Sequence, residues 1–170
     1  MWGRSRPRHR STWIRGWNFV SIDPSGGQVN IKRPIPIADL DSVAWWSAVS
    51  RHEFVCARCS DCNVWRWPAR AICGACGSMT WEWQELSGNG TIASWIVNRH
   101  GFGGAFPLPS TVVLVRLAEQ DDLLLPGGWA GSADGVDLSV GLSVVVGFED
   151  IESEGGDSDQ AVLSWGPRHD

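Results

Sequence analysis

All five cysteines of this 170-residue chain fall between positions 56 and 76, and four of them form two C-x-x-C pairs ten residues apart, Cys59/Cys62 and Cys73/Cys76. Cys56 permits a second register, but the later pairs give two compact knuckles facing each other across a hairpin. Four thiolates at that spacing suit tetrahedral zinc. Each knuckle must turn back after its second cysteine in a left-handed conformation, so Gly77 is expected there and Asn63 is the next best residue. Cys56 sits in an apolar run with Phe54 and Val55 and reads as a buried hydrophobe. A pair of disulfides is the alternative, and it needs an oxidising compartment. One structural zinc per chain is therefore expected, because four protein thiolates leave no open position for water or substrate. A segment of about 30 residues cannot build its own core, and the metal is its staple.

The net charge of -5 is unevenly spread. Residues 1 to 33 carry seven Lys/Arg against Asp23, residues 34 to 116 carry six of each sign, and residues 117 to 170 carry twelve acids against Arg168. An acidic C-terminal half disfavours a phosphate backbone as partner, so nucleic acid is not expected there. The longest apolar runs fall far short of the roughly 20 residues that span a bilayer, and no membrane association is expected. The N-terminus has the basic start of an export signal without the apolar stretch that must follow, so a cytoplasmic location is expected.

Four segments follow from the pattern. Residues 1–38 mix Arg, Pro, Ser and Gly and read as a basic, mostly irregular, flexible arm. Residues 39–53 read as a short amphipathic helix, capped by Asp39 or Asp41 and ending near His52. Residues 54–86 hold the zinc ribbon. Residues 87–170 hold five candidate strands (91–98, 110–117, 122–125, 142–148 and 161–165) separated by the turn signals HGFGG, AEQDD, PGG, ADG and EGGDSD. Five short strands in that length suggest the five-stranded OB-fold barrel.

Twelve Trp residues accompany no Tyr. Trp65 and Trp67, and Trp81 and Trp83, alternate beside the knuckles, so each pair is expected on one face of a strand. They either cover the hairpin against the barrel or form a recognition surface. Adjacent Trp45 and Trp46 point about 100° apart on a helix, so one can pack inward while the other serves a partner. Trp45, Trp46, Trp65, Trp67 and Arg70 are thus the candidate partner-binding residues. His100, beside the Gly-rich loop, is the candidate ligand-facing residue. No G-x-S-x-G or H-E-x-x-H motif appears, and GFGG lacks the Lys of a phosphate loop.

Three stretches, RCSDCNVWRWPARAICGACGS from Arg58, WEWQELSGNGTIASWIVNRH from Trp81 and PSTVVLVRL from Pro109, followed by VDLSVGLSVVVGFED from Val136, carry a resemblance. Together with the order helix, ribbon, barrel, they make the chain similar to the zinc-ribbon and OB-fold family known as domain of unknown function 35. Asn63 stands where that family usually has Gly, and Ala69 where it has a second Pro. The arm has no counterpart. The resemblance implies a mainly β protein with an N-terminal helix, a rubredoxin-like zinc ribbon and an OB barrel. It also implies a non-catalytic accessory subunit that binds a thiolase-like or ketosynthase-like enzyme, a hydratase or a steroid side-chain aldolase. Such a subunit lies near the partner's acyl-CoA site, which it helps to complete. Two other readings compete: a single-stranded nucleic-acid binder, opposed by the acidic half, and a zinc enzyme acting on an acyl thioester, which would need one cysteine free of the metal.

Overall fold

The computed structural model describes residues 21–22, 28–29, 35–101, 106–151 and 160–168. The expectation of an irregular arm therefore lies largely outside the described residues, as do 102–104 of the HGFGG turn and all of EGGDSD. Within residues 1–30, a unit by itself, β1 (Ser21–Ile22) and β2 (Gln28–Val29) form a two-residue antiparallel ladder. Residues 31–170 form the second unit. It runs from helix α1 (Val43–Ser50) through ribbon strands β3 (Val55–Cys59), β4 (Trp65–Arg66) and β5 (Trp81–Glu85). The barrel strands follow: β6 (Asn89–Asn98), β7 (Ser110–Leu117), β8 (Leu124–Trp129), β9 (Ser143–Ile151) and β10 (Gln160–Pro167).

Local hydrogen bonds close the helix at both ends. The Asp39 carboxylate accepts the Ser42 N–H at 2.9 Å while the Ser42 hydroxyl accepts the Asp39 N–H at 3.0 Å, a reciprocal cap. At the other end His52 takes a left-handed conformation (φ 59°), which lets the Glu53 N–H reach the Ala48 carbonyl. The His52 imidazole then lies 2.7 Å from the Asp150 carboxylate and stacks on Phe148, tying the helix end to β9. Between these ends VAWWSAVS holds no charge. Trp45, Ala48 and Val49 are buried, while Val43, Ala44 and Ser47 face outward, below a Leu40 that is 97% exposed.

The barrel is closed in the order β10-β8-β7-β6-β9, with β9 pairing back onto β10. Alternation does the sorting. On β7, Thr111, Val113, Val115 and Leu117 point inward and Val112 and Arg116 outward; Ala161, Leu163 and Trp165 do the same on β10. A bulge between Ile92 and Ser94 bends β6 around the core. Trp45, Val49 and Phe54 enter this same core, with Phe54 edge-on to Trp165. The ribbon therefore shares its apolar interior with the barrel.

One turn signal fails. PGG, expected to end a strand, lies inside β8, and Gly128 and Trp129 pair in parallel with Ser164 and Trp165 to close the barrel. The reason is steric: a Cβ at Gly127 would lie 2.6 Å from the Trp165 indole and 3.1 Å from the Leu163 carbonyl. Here glycine makes room for an indole rather than turning the chain. Gly127→Ala should accordingly destabilise the fold by about 1–3 kcal/mol. Gly128→Ala, whose new methyl meets nothing nearer than 3.9 Å, should cost much less. Denaturant unfolding of the two variants checks this, and equal losses would contradict it.

Candidate metal centre and docking grooves

The ribbon sheet, ordered β4-β3-β5, delivers one cysteine from the end of β3 and three from the loops that follow. The two knuckles share one hydrogen-bond pattern. The Asn63 N–H bonds the Cys59 carbonyl and the Cys59 N–H the Val64 carbonyl; the Gly77 N–H bonds the Cys73 carbonyl and the Cys73 N–H the Ser78 carbonyl. Asn63 (φ 60°) and Gly77 (φ 76°) supply the left-handed residues, as the spacing requires. The four Sγ atoms then lie within 4.8 Å of one another, with Cys59 and Cys76 at 3.6 Å and Cys62 and Cys73 at 3.7 Å. These separations match the edge of about 3.8 Å of a ZnS4 tetrahedron with bonds of about 2.3 Å. They are far from the roughly 2.05 Å of a disulfide. The Cys62 N–H draws the Cys59 thiol down to about 6, and the Ala75 N–H lowers Cys73. Cys62 and Cys76 go the other way: despite the Val64 and Ser78 backbone donors, the neighbouring thiols and burial raise both, Cys76 to about 12. Two of the four sulfurs are thus biased toward the thiolate form that a metal needs.

Cys56 stays out of this cluster. Its side chain lies in the shared core, its thiol donates to the Arg66 carbonyl at 3.0 Å, and burial pushes it up to about 12. It is an inert packing residue.

Trp81 and Trp83 share one face of β5, opposite Cys59 and Ala57, and meet edge-on at 5.2 Å, as the alternation predicts; Trp65 and Trp67 do not form such a strand pair, because β4 ends at Arg66. Trp65 opposes Arg58 and Trp83 opposes Ala57, so these indoles occupy opposite faces of the ribbon. Arg58 lies over Trp65 at 5.2 Å and is fixed by the Asn63 carbonyl and Gln84, whereas Arg66 lies over Trp81 at 5.6 Å. Trp67, just beyond β4, packs edge-on against Trp45 at 5.9 Å. Trp45 itself is 6% exposed and belongs to the core; Trp46 is half-buried beside it at 4.6 Å.

Two grooves flank the Trp67-Pro68-Ala69-Arg70 segment. One, of about 170 Å³, is walled by Trp45, Trp46, Trp67 and Trp83, with Asp39 and Asp41 among its lining residues. The other, of about 320 Å³, lies between that segment, Trp65, Ile72 and the β7–β8 loop. Arg70 lines both. Of the candidate partner-binding residues, Trp45, Trp46, Trp67 and Arg70 are thus brought together, and Trp65 joins Trp67 and Arg70 in the larger groove. His100 is not: it is exposed beyond the far end of β6, where its N–H bonds the Asn98 side chain.

Sequence reasoning missed Gln120. Its amide accepts the Trp65 N–H at 2.9 Å and donates to the Trp65 carbonyl, completing the outer edge of β4 as a neighbouring strand would. Asp122 holds the amide in place. Nothing in AEQDD distinguishes this from an ordinary polar turn.

The comparisons with known proteins agree with this geometry. Residues 46–82 match the model of the ChsH2 rubredoxin-like zinc ribbon domain, and residues 83–149 match that of the ChsH2 C-terminal OB-fold domain. The fold is similar to a chain of the Ltp2-ChsH2(DUF35) aldolase, with TM-score 0.68 and 28% identity over 78% of this chain and 98% of that one. It also shares its fold with a protein of unknown function from the DUF35 family of Sulfolobus solfataricus, with TM-score 0.53 and 14% identity over 77% of this chain and 87% of that one. A probable enoyl-CoA hydratase alpha subunit of Thermomonospora curvata is 32% identical over 122 residues, 72% of this chain; the chain spans 37% of that relative's length. The four cysteines are thus positioned for one metal ion within a zinc ribbon of defined type. With both domain models matched in order over more than half of its length, the chain belongs to the ChsH2 family of zinc-ribbon and OB-fold proteins.

Proposed function

We propose that the chain is a non-catalytic docking subunit of an acyl-CoA enzyme, with a thiolase-like partner first among the candidates and the acyl-CoA bound at the interface. The observation that carries this reading is α1. An uncharged helix that carries apolar side chains on its outer as well as its inner face needs a cover for both. Here only the Trp45, Ala48 and Val49 side is covered, while Leu40 and Val43 remain 97% and 55% exposed. The similarity to a chain of the Ltp2-ChsH2(DUF35) aldolase and to an enoyl-CoA hydratase alpha subunit supports an enzyme of this class as the cover. In this reading Trp46, Trp65, Trp67 and Arg70 border the interface. Trp45 supports it from inside the core.

The same reading assigns one zinc per chain to Cys59, Cys62, Cys73 and Cys76, with a structural role. Four thiolates fill a tetrahedral ion's coordination shell, so the metal staples the ribbon and offers no site to substrate. Cys73→Ser should abolish metal binding and unfold the ribbon, whereas Cys56→Ser should keep one zinc per chain; metal analysis of both variants checks the assignment. Because the thiols must shed protons to bind, zinc affinity of the metal-free chain should fall as pH drops across the whole range in which Cys62 and Cys76, the latter pushed up to about 12, hold their protons. It should fall most steeply below about 6, where the Cys59 thiolate takes up its proton too. A pH-independent affinity would contradict thiolate ligation.

The docking role is tested by co-purifying the chain with a candidate acyl-CoA enzyme, a thiolase-like one first. Val43→Asp should break the complex and leave zinc content and melting temperature unchanged. Trp46→Ala should weaken assembly by about 2 kcal/mol or more, the scale of an interface hot spot. Trp45→Ala should instead destabilise the free subunit by roughly 3–5 kcal/mol. Acyl-CoA turnover by the chain alone would overturn the proposal.

A further inference from the structure

The smaller groove has a chemistry of its own. Four indoles, from Trp45, Trp46, Trp67 and Trp83, line a space of about 170 Å³ together with the Asp39 and Asp41 side chains at the start of α1. An indole face is the strongest aromatic partner for a cation, and a guanidinium can lie flat on it while bonding a carboxylate with its edge. Asp39 is kept ionised by the hydroxyl and N–H of Ser42. The single cation already present is loosely held: Arg70 Nη1 is 3.9 Å from Asp41 Oδ2, with side chains 65% and 46% exposed. Exposed pairs of this kind contribute little and exchange readily. Two carboxylates against one guanidinium leave the groove with a net negative charge, which disfavours a phosphate or carboxylate there. A purely apolar side chain would leave the acids unused.

From this charge and this lining we infer that the groove receives an arginine side chain of the partner enzyme, whose guanidinium stacks on the indoles and displaces Arg70 from Asp41. The inference rests on the docking reading above. It reverses the sequence expectation for Arg70, which here competes with the partner instead of binding it.

The test titrates the zinc-loaded full chain with N-acetyl-arginine methylamide at constant ionic strength and follows the indole N–H resonances by NMR. The neutral glutamine analogue is the control. Saturable shifts of the Trp46 and Trp67 indoles with the arginine probe alone are expected. Asp41→Asn should weaken binding by about fivefold or more, and Arg70→Ala should strengthen it. Equal response to the neutral probe would overturn the inference, as would an Arg70→Ala variant that binds more weakly. So would silence in the full chain, the result expected if its own arginines filled the groove. The probe needs no partner protein, so probe binding without complex formation would count against the docking reading, and complex formation without probe binding against the groove alone.

Discussion

The four-thiol cluster is the constraint on which the rest of the ribbon depends. Between Cys59 and Trp81 the chain has one two-residue strand and two knuckles, and most of its residues are exposed. Nothing there buries enough apolar area to offset the entropy of ordering the loops. What fixes them is a set of sulfur atoms spaced for one tetrahedral ion, held by two copies of the same backbone turn. Because such a site does not exist in the unfolded chain, metal binding and ribbon folding form one equilibrium.

The ribbon in turn is not an appendage of the barrel. Phe54 and Cys56 enter the core that Trp165, Leu125 and Val115 complete, Gln120 closes the edge of β4 from the barrel side, and His52 ties the helix end to β9. These links set the Trp67-Pro68-Ala69-Arg70 segment beside α1 and create the two grooves. The surface proposed for docking thus depends on zinc at one remove: loss of the metal releases the loop that forms one wall, while the helix that forms the other stays anchored through Trp45 and Val49.

The metal centre was legible because its chemistry is local: C-x-x-C spacing and the need for left-handed residues at 63 and 77 are properties of short peptides. The barrel strands were legible from alternation, most cleanly in STVVLVRL, where each inward position is apolar or Thr. What could not be read were features that need two distant segments at once. PGG carries the punctuation of a turn, and only the Trp165 indole packed against Gly127 explains its place in a strand. Gln120 looks like any turn residue until the β4 edge meets it. The expectation that alternating Trp pairs share a face holds for Trp81 and Trp83, opposite Cys59 and Ala57, but does not extend to Trp65 and Trp67. Trp67 lies beyond the end of β4, where alternation no longer applies, and Trp83 joins it in one groove with two helix residues.

Hydrogen exchange on the zinc-loaded chain, alone and mixed with the proposed acyl-CoA enzyme partner, tests the central claim most directly. The account predicts that the partner slows exchange in α1 and across residues 67–70, and leaves the knuckle amides of Asn63 and Gly77 as protected as they were. Protection confined to the barrel, with α1 exchanging as it does in the free chain, would contradict it.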